Sequence, residues 1–356
     1  MRVIQESLKF IELGYKVLIA CQEGSKISVK SKMAGLPVYP IRMRKYRRAP
    51  LTVSALLRIV KREKVDIIHT HSTKDAWLAG ITGRISRIPI VRSRHISTPV
   101  KQNWRAIFSY RYLSDVIITS GKHIKDELVA RNKLNPGKII SIPAGVDIER
   151  FDINIKGDKI RTEFRVEDSY PVVGTVAMLR KWKGIHYLLE AVPKVVSVFP
   201  DARFIIVGDG SQWNSLHKQI HALEIDRHVM MAGLRDDVPE IISALDMFIL
   251  PSIDSEATSQ VIPQALAMGK PVIATDIGGL PEIVEDAVTG LLIPPGDPGA
   301  IATAIIRMAR EREEAKEMAM KGRDKILKDF TFQKMIDRTA DVYHFVRETS
   351  LRKRTT

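Results

Sequence analysis

The chain contains a single cysteine, Cys21, among its 356 residues. One cysteine excludes an internal disulfide and is typical of a protein from a reducing compartment. No apolar run approaches the roughly 20 residues that a membrane-spanning helix needs. The first residues show no charged segment leading into an apolar one, so no secretory signal peptide is visible. These absences predict a cytoplasmic globular protein, and no short-period repeat or low-complexity segment argues against it.

Acidic residues are scarce in the first half of the chain. Residues 1–150 hold 29 Lys and Arg against 11 Asp and Glu, whereas residues 151–356 hold 27 against 30. The densest basic stretches are 41–50 and Arg84 to Arg111. Such a charge excess attracts phosphates, anionic lipids or nucleic acids, although a solvated basic face without a partner is the simpler alternative. No recognised nucleic-acid-binding motif is present, so we expect no nucleic-acid partner.

Short β-branched runs alternate with amphipathic helical stretches along the whole chain. This rhythm predicts two doubly wound α/β domains. A polar, charged stretch at 149–170 interrupts it and marks the expected boundary. The predicted division is therefore a first domain at 1–150, a second at 151–330, and a terminal helix with a basic tail at 331–356.

Loops that follow buried strands are the expected ligand-binding positions, because open α/β sheets bind at the carboxyl ends of their strands. In the second domain, "MLRKWKG" (178–184) offers Arg180 and Lys183 beside the start of a helix, which suits a diphosphate. "VGDGSQ" (207–212) contains Gly208 and Gly210, which allow close approach of a ligand to the backbone. "AGLRDDVPE" (232–240) offers Arg235 to the edge of a nucleobase. Each motif alone is also compatible with an ordinary exposed turn.

A fourth loop, "IDSEAT" (253–258), precedes a predicted helix that contains Pro263 in its first turn, where a missing N–H removes no helical hydrogen bond. Ser259 or Thr258 is the expected helix cap. Glu256 lies at the mouth of this helix and can accept hydrogen bonds from sugar hydroxyls.

The order of these loops, together with "LPSIDSEATSQVIPQALAMGKPVIATDIGGLPE", resembles retaining glycosyltransferase family 4. "SDVIITSGKHIKDEL" and "KIISIPAGVDIERF" extend the resemblance into the first half. It implies a GT-B fold, in which two Rossmann-like domains face a cleft. It also implies transfer of a sugar from a UDP- or GDP-linked donor, with no essential metal and no further cofactor.

The resemblance assigns roles to individual residues of the second domain. Glu256 matches the acid that contacts the donor sugar. Gln264 stands where the family has a second acid that binds the ribose. Lys183 matches the lysine on the diphosphate. The usual diphosphate arginine falls at Met178, and Arg180 is the expected replacement. Gly208, Gly210, Arg235 and Ser259 complete the expected donor-binding set.

In the first domain, "VRSRHISTP" places His95 just after a strand. A lone histidine is usually a surface or satisfied core residue, but in the resembling family a histidine at this place orients the donor sugar. His69 and His71 in "IIHTHST" also end a strand, and we rank them below His95.

The start of the chain departs from the family pattern. Its members begin with a short strand and a Gly-Gly loop, whereas Met1 begins directly in a helical pattern. A truncated or misassigned reading frame is the preferred explanation, and a genuine variant with weakened or lost activity is the alternative.

Between His95 and Ser114, aromatic residues alternate with basic ones. Trp104, Phe108, Tyr110 and Tyr112 lie among Lys101, Arg105 and Arg111. This pattern suits an anionic membrane surface, and a helix whose aromatic side is buried in the core explains it equally well. The membrane interpretation predicts a peripheral protein at the inner face of the cell membrane.

The sequence thus predicts a retaining glycosyltransferase that acts on a glycan or lipid-linked acceptor in cell-envelope polysaccharide or lipopolysaccharide synthesis. Its expected catalytic residues are His95 and Glu256. The main alternative is a truncated or degenerate, non-catalytic GT-B scaffold. An epimerase or phosphorylase of the same fold would need acid/base groups or a cofactor that the sequence does not show.

Overall fold

The structure, a computed structural model, describes residues 2–42, 49–254 and 256–355, with side chains described up to residue 352. Most of the basic stretch 41–50 therefore lies outside the described residues. The chain divides into two compact units. Unit 1 comprises Met1–His95, Pro99–Pro143 and Gln333–Thr356; unit 2 comprises Ile96–Thr98 and Ala144–Phe332.

Unit 1 alternates strands and helices, as its sequence rhythm predicts. Its strands are β1 (Ile19–Gln22), β2 (Val38–Ile41), β3 (Ile68–Thr70), β4 (Ile90–Arg94), β5 (Val116–Thr119) and β6 (Ile139–Ser141). Its helices are α1 (Arg2–Glu12), α2 (Lys26–Met33), α3 (Ala49–Glu63), α4 (Thr73–Ser86), α5 (Trp104–Tyr112) and α6 (Lys122–Asn132), followed at the end of the chain by α15 (Phe332–Thr355).

The strands of unit 1 form two parallel sheets. One has the order β1-β2 and the other the order β3-β4-β5-β6. Every residue of β4 and β5 is buried, which is typical of parallel strands covered on both faces. In the described residues, one edge of β1 and one edge of β3 have no strand partner, and α1 precedes β1 without an intervening strand.

The terminal helix α15 belongs to unit 1, although it follows the last element of unit 2. The Tyr343 hydroxyl lies 2.7 Å from His69 Nδ1, and its ring packs 5.1 Å from that of Phe10. The Tyr15 hydroxyl lies 3.0 Å from His344 Nε2. These contacts tie α15 to α1 and β3, which local sequence could not reveal.

Unit 2 continues the alternation. Its strands are β7 (Val172–Val176), β8 (Arg203–Val207), β9 (Val229–Gly233), β10 (Met247–Leu250), β11 (Val272–Thr275) and β12 (Leu291–Ile293). Its helices are α7 (Asp158–Phe164), α8 (Ile185–Val198), α9 (Trp213–Ala222), α10 (Val238–Ala244), α11 (Val261–Ala267), α12 (Leu280–Ile283), α13 (Pro298–Arg310) and α14 (Arg312–Asp329).

The strands of unit 2 form one parallel sheet with a hydrophobic layer on each face. Its order is β12-β11-β10-β7-β8-β9, so the winding reverses between β7 and β10. Strand β8 shows how the layers arise, because successive side chains point to opposite faces. Phe204 and Ile206 enter one cluster, whereas Ile205 and Val207 enter the other. The reversal at β7 and β10 is where doubly wound sheets bind ligands.

The chain crosses between the units at 143/144 and 332/333, and the short segment Ile96–Thr98 also groups with unit 2. The sequence prediction placed the boundary at 149–170, a stretch that the structure assigns to unit 2. The start and end of unit 2 pair with each other, because Val146 N–H donates to Phe330 O (2.8 Å) and Phe332 N–H donates to Val146 O (2.7 Å). This pairing draws residues from 144 onward into unit 2.

Candidate functional site

Backbone hydrogen bonds join the first two predicted loops of unit 2. Leu179 N–H donates to Asp209 O, and Gln212 N–H donates to Leu179 O, both at 2.9 Å. Gly208 has φ +134°, and a Cβ there would overlap the Ala177 carbonyl oxygen. The structure therefore explains why this position is a glycine: the missing Cβ lets the two loops come into contact. Gly210 meets the Leu179 backbone in the same way.

The same first loop is also fixed to the loop after β10. Ile253 N–H donates to Trp182 O at 2.8 Å. Gly184 has φ +68°, and a Cβ there would overlap Pro251 O. The loop after β11 closes the arrangement, because Gly279 N–H donates to Glu256 O at 3.1 Å. Four strand-ending loops thus form one interlocked edge at the winding reversal.

Lys183 and Glu256 meet at the centre of this edge. The Lys183 ammonium is hydrogen-bonded to Glu256 Oε1, and the side chains are only 12% and 5% exposed. Ser252 Oγ donates to the same carboxylate oxygen at 2.6 Å, and Thr275 Oγ1 donates to Ser252 O at 2.6 Å. The two residues that the sequence assigned to different parts of a donor are therefore direct partners. Sequence reasoning did not identify Ser252, which holds the carboxylate.

The other predicted donor-binding residues lie in the same loops or on the helix that follows them. Arg180 is exposed at the start of a short 3₁₀ turn, Lys181–Lys183, and Met178 is also exposed. Gln264 lies on α11, and in the described structure its side-chain amide makes no hydrogen bond with the protein. Ser259 is buried just before that helix. The roles assigned to these residues remain predictions.

The predicted cap of α11 is wrong. The N-cap is Gln260, not Ser259 or Thr258, and its side chain makes no capping hydrogen bond. The reason is local geometry, because Gln260 already has helical dihedral angles and the helix begins at Val261. Pro263 does lie in the first turn, as predicted.

Arg235 is held by two carboxylates. Its Nε donates to Asp237 Oδ1 at 2.8 Å, and its Nη2 donates to Glu163 Oε2 at 2.9 Å. Hydrogen bonding to Asp237 and then Glu163 raises the pKa of Arg235. A nucleobase contact by Arg235 would have to coexist with these partners, and it stays a prediction.

In unit 1, three histidines gather at the carboxyl ends of β3 and β4. His71 Nδ1 lies 3.2 Å from His95 Nε2, and the His69 and His71 rings are 4.2 Å apart. His69 Nδ1 faces the Tyr343 hydroxyl, and its Nε2 lies 2.8 Å from Ser93 Oγ. The spacing of His69 and His71 is a signal that these two rings share a face, because residues two apart on a strand do so. It does not place His95 beside them.

Burial keeps these histidines neutral. Desolvation lowers the pKa of His71 to about 4 and of His95 to about 3, and the positive charge of Arg2 adds to both effects. Desolvation also lowers the pKa of His69, with smaller contributions from the other two histidines. Among the residues that the structure describes, no group of three or more His, Cys, Asp or Glu could hold a metal ion.

The aromatic residues of α5 separate into exposed and buried positions. Trp104, Phe108 and Tyr112 are 70%, 39% and 59% exposed, and they follow one another every four residues along one helical face. Tyr110 is 4% exposed, with the Arg92 guanidinium 3.5 Å from its ring centre. The membrane and core interpretations of this segment therefore apply to different residues. Among the described helices, none is long and apolar enough to cross a membrane.

Comparisons with protein-family models cover nearly the whole chain. The model described as Glycosyltransferase Family 4 matches residues 2–150, and the model described as Glycosyl transferases group 1 matches residues 157–325.

Two relatives illustrate the similarity in sequence. The Escherichia coli UDP-Gal:alpha-D-GlcNAc-diphosphoundecaprenol alpha-1,3-galactosyltransferase is 30% identical over 305 residues, covering 81% of this chain and 78% of that protein. The Bacillus anthracis N-acetyl-alpha-D-glucosaminyl L-malate synthase is 25% identical over 302 residues, covering 82% of this chain and 78% of that protein.

Two solved structures illustrate the similarity in fold. A glycosyltransferase from Rickettsia africae superposes with a TM-score of 0.88 at 22% identity, covering 97% of this chain and 94% of that one. Anabaena HepE in complex with UDP superposes with a TM-score of 0.83 at 22% identity, covering 95% of each chain.

Proposed function

Because the chain belongs to glycosyltransferase family 4, we propose that it moves a sugar from a nucleotide-sugar donor to a lipid-linked or glycan acceptor, with retention of the anomeric configuration. Transferase activity is supported for the family, and the predicted GT-B fold of two Rossmann-like domains is confirmed. The observation that carries the proposal is the buried Lys183–Glu256 pair within the interlocked loops at the winding reversal of unit 2.

The proposed donor is a UDP-sugar, with a GDP-sugar as the alternative. UDP is bound in the HepE structure, and the Escherichia coli relative is named for UDP-Gal. In the proposal, Lys183 and Arg180 neutralise the diphosphate, and neither a metal ion nor another cofactor is required. Cations fixed beside the leaving phosphate stabilise the charge that develops there as the glycosidic bond breaks.

In the proposal, Lys183 and Glu256 exchange each other for parts of the donor when it binds. A diphosphate would attract the Lys183 ammonium, so the Glu256 carboxylate would become available to sugar hydroxyls. Ser252 Oγ would remain on the carboxylate and keep it in place. Two buried charges that satisfy each other before the donor arrives also avoid the large cost of an isolated buried ion.

In the proposal, Gln264 and Arg180 compensate for two departures from the family pattern, the missing ribose-binding acid and the missing diphosphate arginine. An amide can both donate to and accept from the ribose hydroxyls, although it lacks the negative charge of glutamate. The exposed Arg180 side chain is free of packing in the core, so it can reach a diphosphate in place of the arginine that is absent at Met178.

The proposed acceptor is a lipid-linked glycan, such as a precursor of lipopolysaccharide or another envelope polysaccharide. The Escherichia coli relative is named for a diphosphoundecaprenol acceptor. In this chain, residues 76–114 contain seven Lys and Arg and no acidic residue. The exposed aromatic face of α5 lies within this segment. We therefore propose that this face binds an anionic bilayer at the inner face of the cell membrane.

Liposome flotation tests the membrane contact. We expect the protein to float with vesicles that contain an anionic phospholipid and to stay unbound with purely zwitterionic ones. Replacing Trp104 and Phe108 by Ser should reduce flotation several-fold, whereas Met33→Ser, at an even more exposed apolar residue of α2, should not. Equal flotation of all three proteins would contradict the contact.

Nucleotide release from a panel of UDP- and GDP-sugars tests the proposed function. We expect wild type to release nucleotide from at least one donor, faster when an isoprenoid diphosphate glycan is present. Glu256→Gln should reduce the rate about a hundredfold, because it removes the charge that holds the sugar. Glu167→Gln, at an exposed residue of the same unit, should match wild type. Release from no donor would favour the non-catalytic scaffold instead.

A further inference from the structure

His71 and His95 face each other edge to edge in unit 1. Their rings are nearly parallel, at 7°, with His71 Nδ1 3.2 Å from His95 Nε2. Both rings are neutral at ordinary pH because burial lowers each pKa. Each neutral imidazole carries one proton, so one facing nitrogen donates and the other accepts. The direction of this bond decides what His95 offers to a ligand.

The position of His71 is fixed from two sides. Its backbone N–H donates to Asp75 Oδ2 at 3.1 Å, and Asp75 itself forms a capping box with Ser72 at the start of α4. On the other side, the His69 ring packs against it and is held between Tyr343 and Ser93. His71 is therefore a rigid partner for His95.

The two outer nitrogens determine the direction. In the described structure, neither His71 Nε2 nor His95 Nδ1 makes a hydrogen bond with the protein. Neither nitrogen is among the fully buried polar atoms that lack a partner, so both can meet a ligand or water. Neutral imidazole intrinsically favours the form with its proton on Nε2. Both rings can adopt this form together only if His95 Nε2–H donates to His71 Nδ1. The reverse bond would force both rings into the less stable form.

We propose that His71 is a positioning residue for His95: it accepts the Nε2–H of His95 and so leaves the Nδ1 lone pair of His95 directed at a hydroxyl group of the ligand. This inference rests on the proposed function, together with the role that the family resemblance implies for His95, which is contact with the transferred sugar. A neutral histidine that presents a lone pair accepts from a sugar hydroxyl and repels an anionic oxygen. In this protonation form His95 therefore suits a sugar hydroxyl and not a phosphate oxygen.

The hydrogen bond can be tested without turnover. The ring nitrogens of His95 are observed by ¹⁵N NMR in a histidine-labelled protein, with the resonance assigned among the nine histidines by its loss in His95→Asn. We expect the proton of His95 on Nε2 in wild type and a mixture of both forms in His71→Leu. A proton on Nδ1 in wild type would overturn the inference.

Kinetics distinguish positioning from mere packing. Leu and Asn have nearly the same shape, but only Asn offers an oxygen near the place of Nδ1. We expect His71→Leu to lower kcat about tenfold. Its affinity for the free nucleotide should stay within about twofold of wild type, and His71→Asn should recover most of the lost turnover. Equal turnover of the Leu and Asn variants would overturn the inference. If wild type uses no donor, the proposed function fails, while the NMR result still decides the direction of the hydrogen bond.

Discussion

At the residue scale, the proposed donor site of unit 2 is built on one pair of opposite charges. Lys183 and Glu256 are both largely buried, and their carboxylate also receives the Ser252 hydroxyl. Any ligand that takes Lys183 from Glu256 must offer more than this pair does. In the proposed function the negative charge of a diphosphate draws Lys183 away from Glu256, which a neutral sugar alone would not do.

Replacing Lys183 should therefore weaken nucleotide binding. We expect Lys183→Ala to lower UDP affinity at least tenfold, since a charge-assisted hydrogen bond contributes about 1.5–3 kcal/mol. Lys181→Ala, at an exposed lysine in the same 3₁₀ turn, should stay within about twofold of wild type. Arg180→Ala should fall between them. Calorimetric titration with UDP measures all three, and identical affinities would show that this turn does not bind the diphosphate.

The sequence identifies Lys183, Glu256 and His95 as candidate site residues because each lies in a recognisable motif at the end of a strand. It could not predict that Ser252 holds Glu256 or that His71 faces His95. The first contact depends on the conformation of the loop after β10. The second depends on the pairing of β3 with β4, in which His69 aligns with Val91. A local pattern contains no information about such register.

At the element scale, glycines allow the loops of unit 2 to pack closely, because a Cβ at these positions would overlap the backbone of a neighbouring loop. Gly208 follows β8, and Gly233 is the last residue of the adjacent strand β9; both have positive φ, at +134° and +69°. Only Gly208 is crowded, by Ala177; a Cβ on Gly233 would meet nothing closer than Trp213 at 3.9 Å. An alanine at Gly233 would therefore meet backbone strain alone, whereas an alanine at Gly208 would meet both strain and steric overlap.

We expect Gly208→Ala to destabilise the protein by more than about 3 kcal/mol, because strain and overlap add. Gly233→Ala should cost only about 1–2 kcal/mol, the ordinary cost of a left-handed residue. Urea unfolding measures both, and nucleotide affinity should fall with Gly208→Ala if its loop helps to hold Lys183. Equal destabilisation by the two substitutions would contradict this explanation of the loop contacts.

The rhythm of strands and helices was predictable, because apolar periodicity and β-branched runs are local. Two features of individual helices were not predictable from the sequence. The N-cap of α11 is Gln260 and not the predicted Ser259 or Thr258, because Gln260 adopts helical angles. Helix α15 packs on unit 1 through Tyr343 and His344, whose partners lie far away along the chain. The exposed stripe on α5 was half predicted: its residues were identified, but only the structure separates Tyr110 from the others.

At the scale of the whole molecule, the neutral histidine cluster links stability to pH. Unfolded histidines bind protons near their ordinary pKa of about 6.5, whereas folded His71 and His95 do so only near 4 and 3. Between these values the unfolded state binds more protons, so stability falls as the pH decreases.

Comparison with a variant isolates this contribution. We expect the free energy of unfolding of wild type to fall between about pH 6.5 and pH 4, and that of His71→Asn to fall with a shallower slope, by up to one proton. Carboxylates contribute equally to both proteins, so the difference in slope reports His71. Urea unfolding at a series of pH values measures it, and parallel profiles would mean that His71 is protonated equally in both states.

The most direct test of the account is the formation of a glycosidic product on an isoprenoid diphosphate glycan, followed by mass spectrometry, with the anomeric configuration assigned by NMR. The account predicts that wild type and a UDP-sugar with an α linkage give an α-linked product. It also predicts that Glu256→Gln still binds UDP but forms product about a hundredfold more slowly. A β-linked product, or equal rates for wild type and Glu256→Gln, would contradict it.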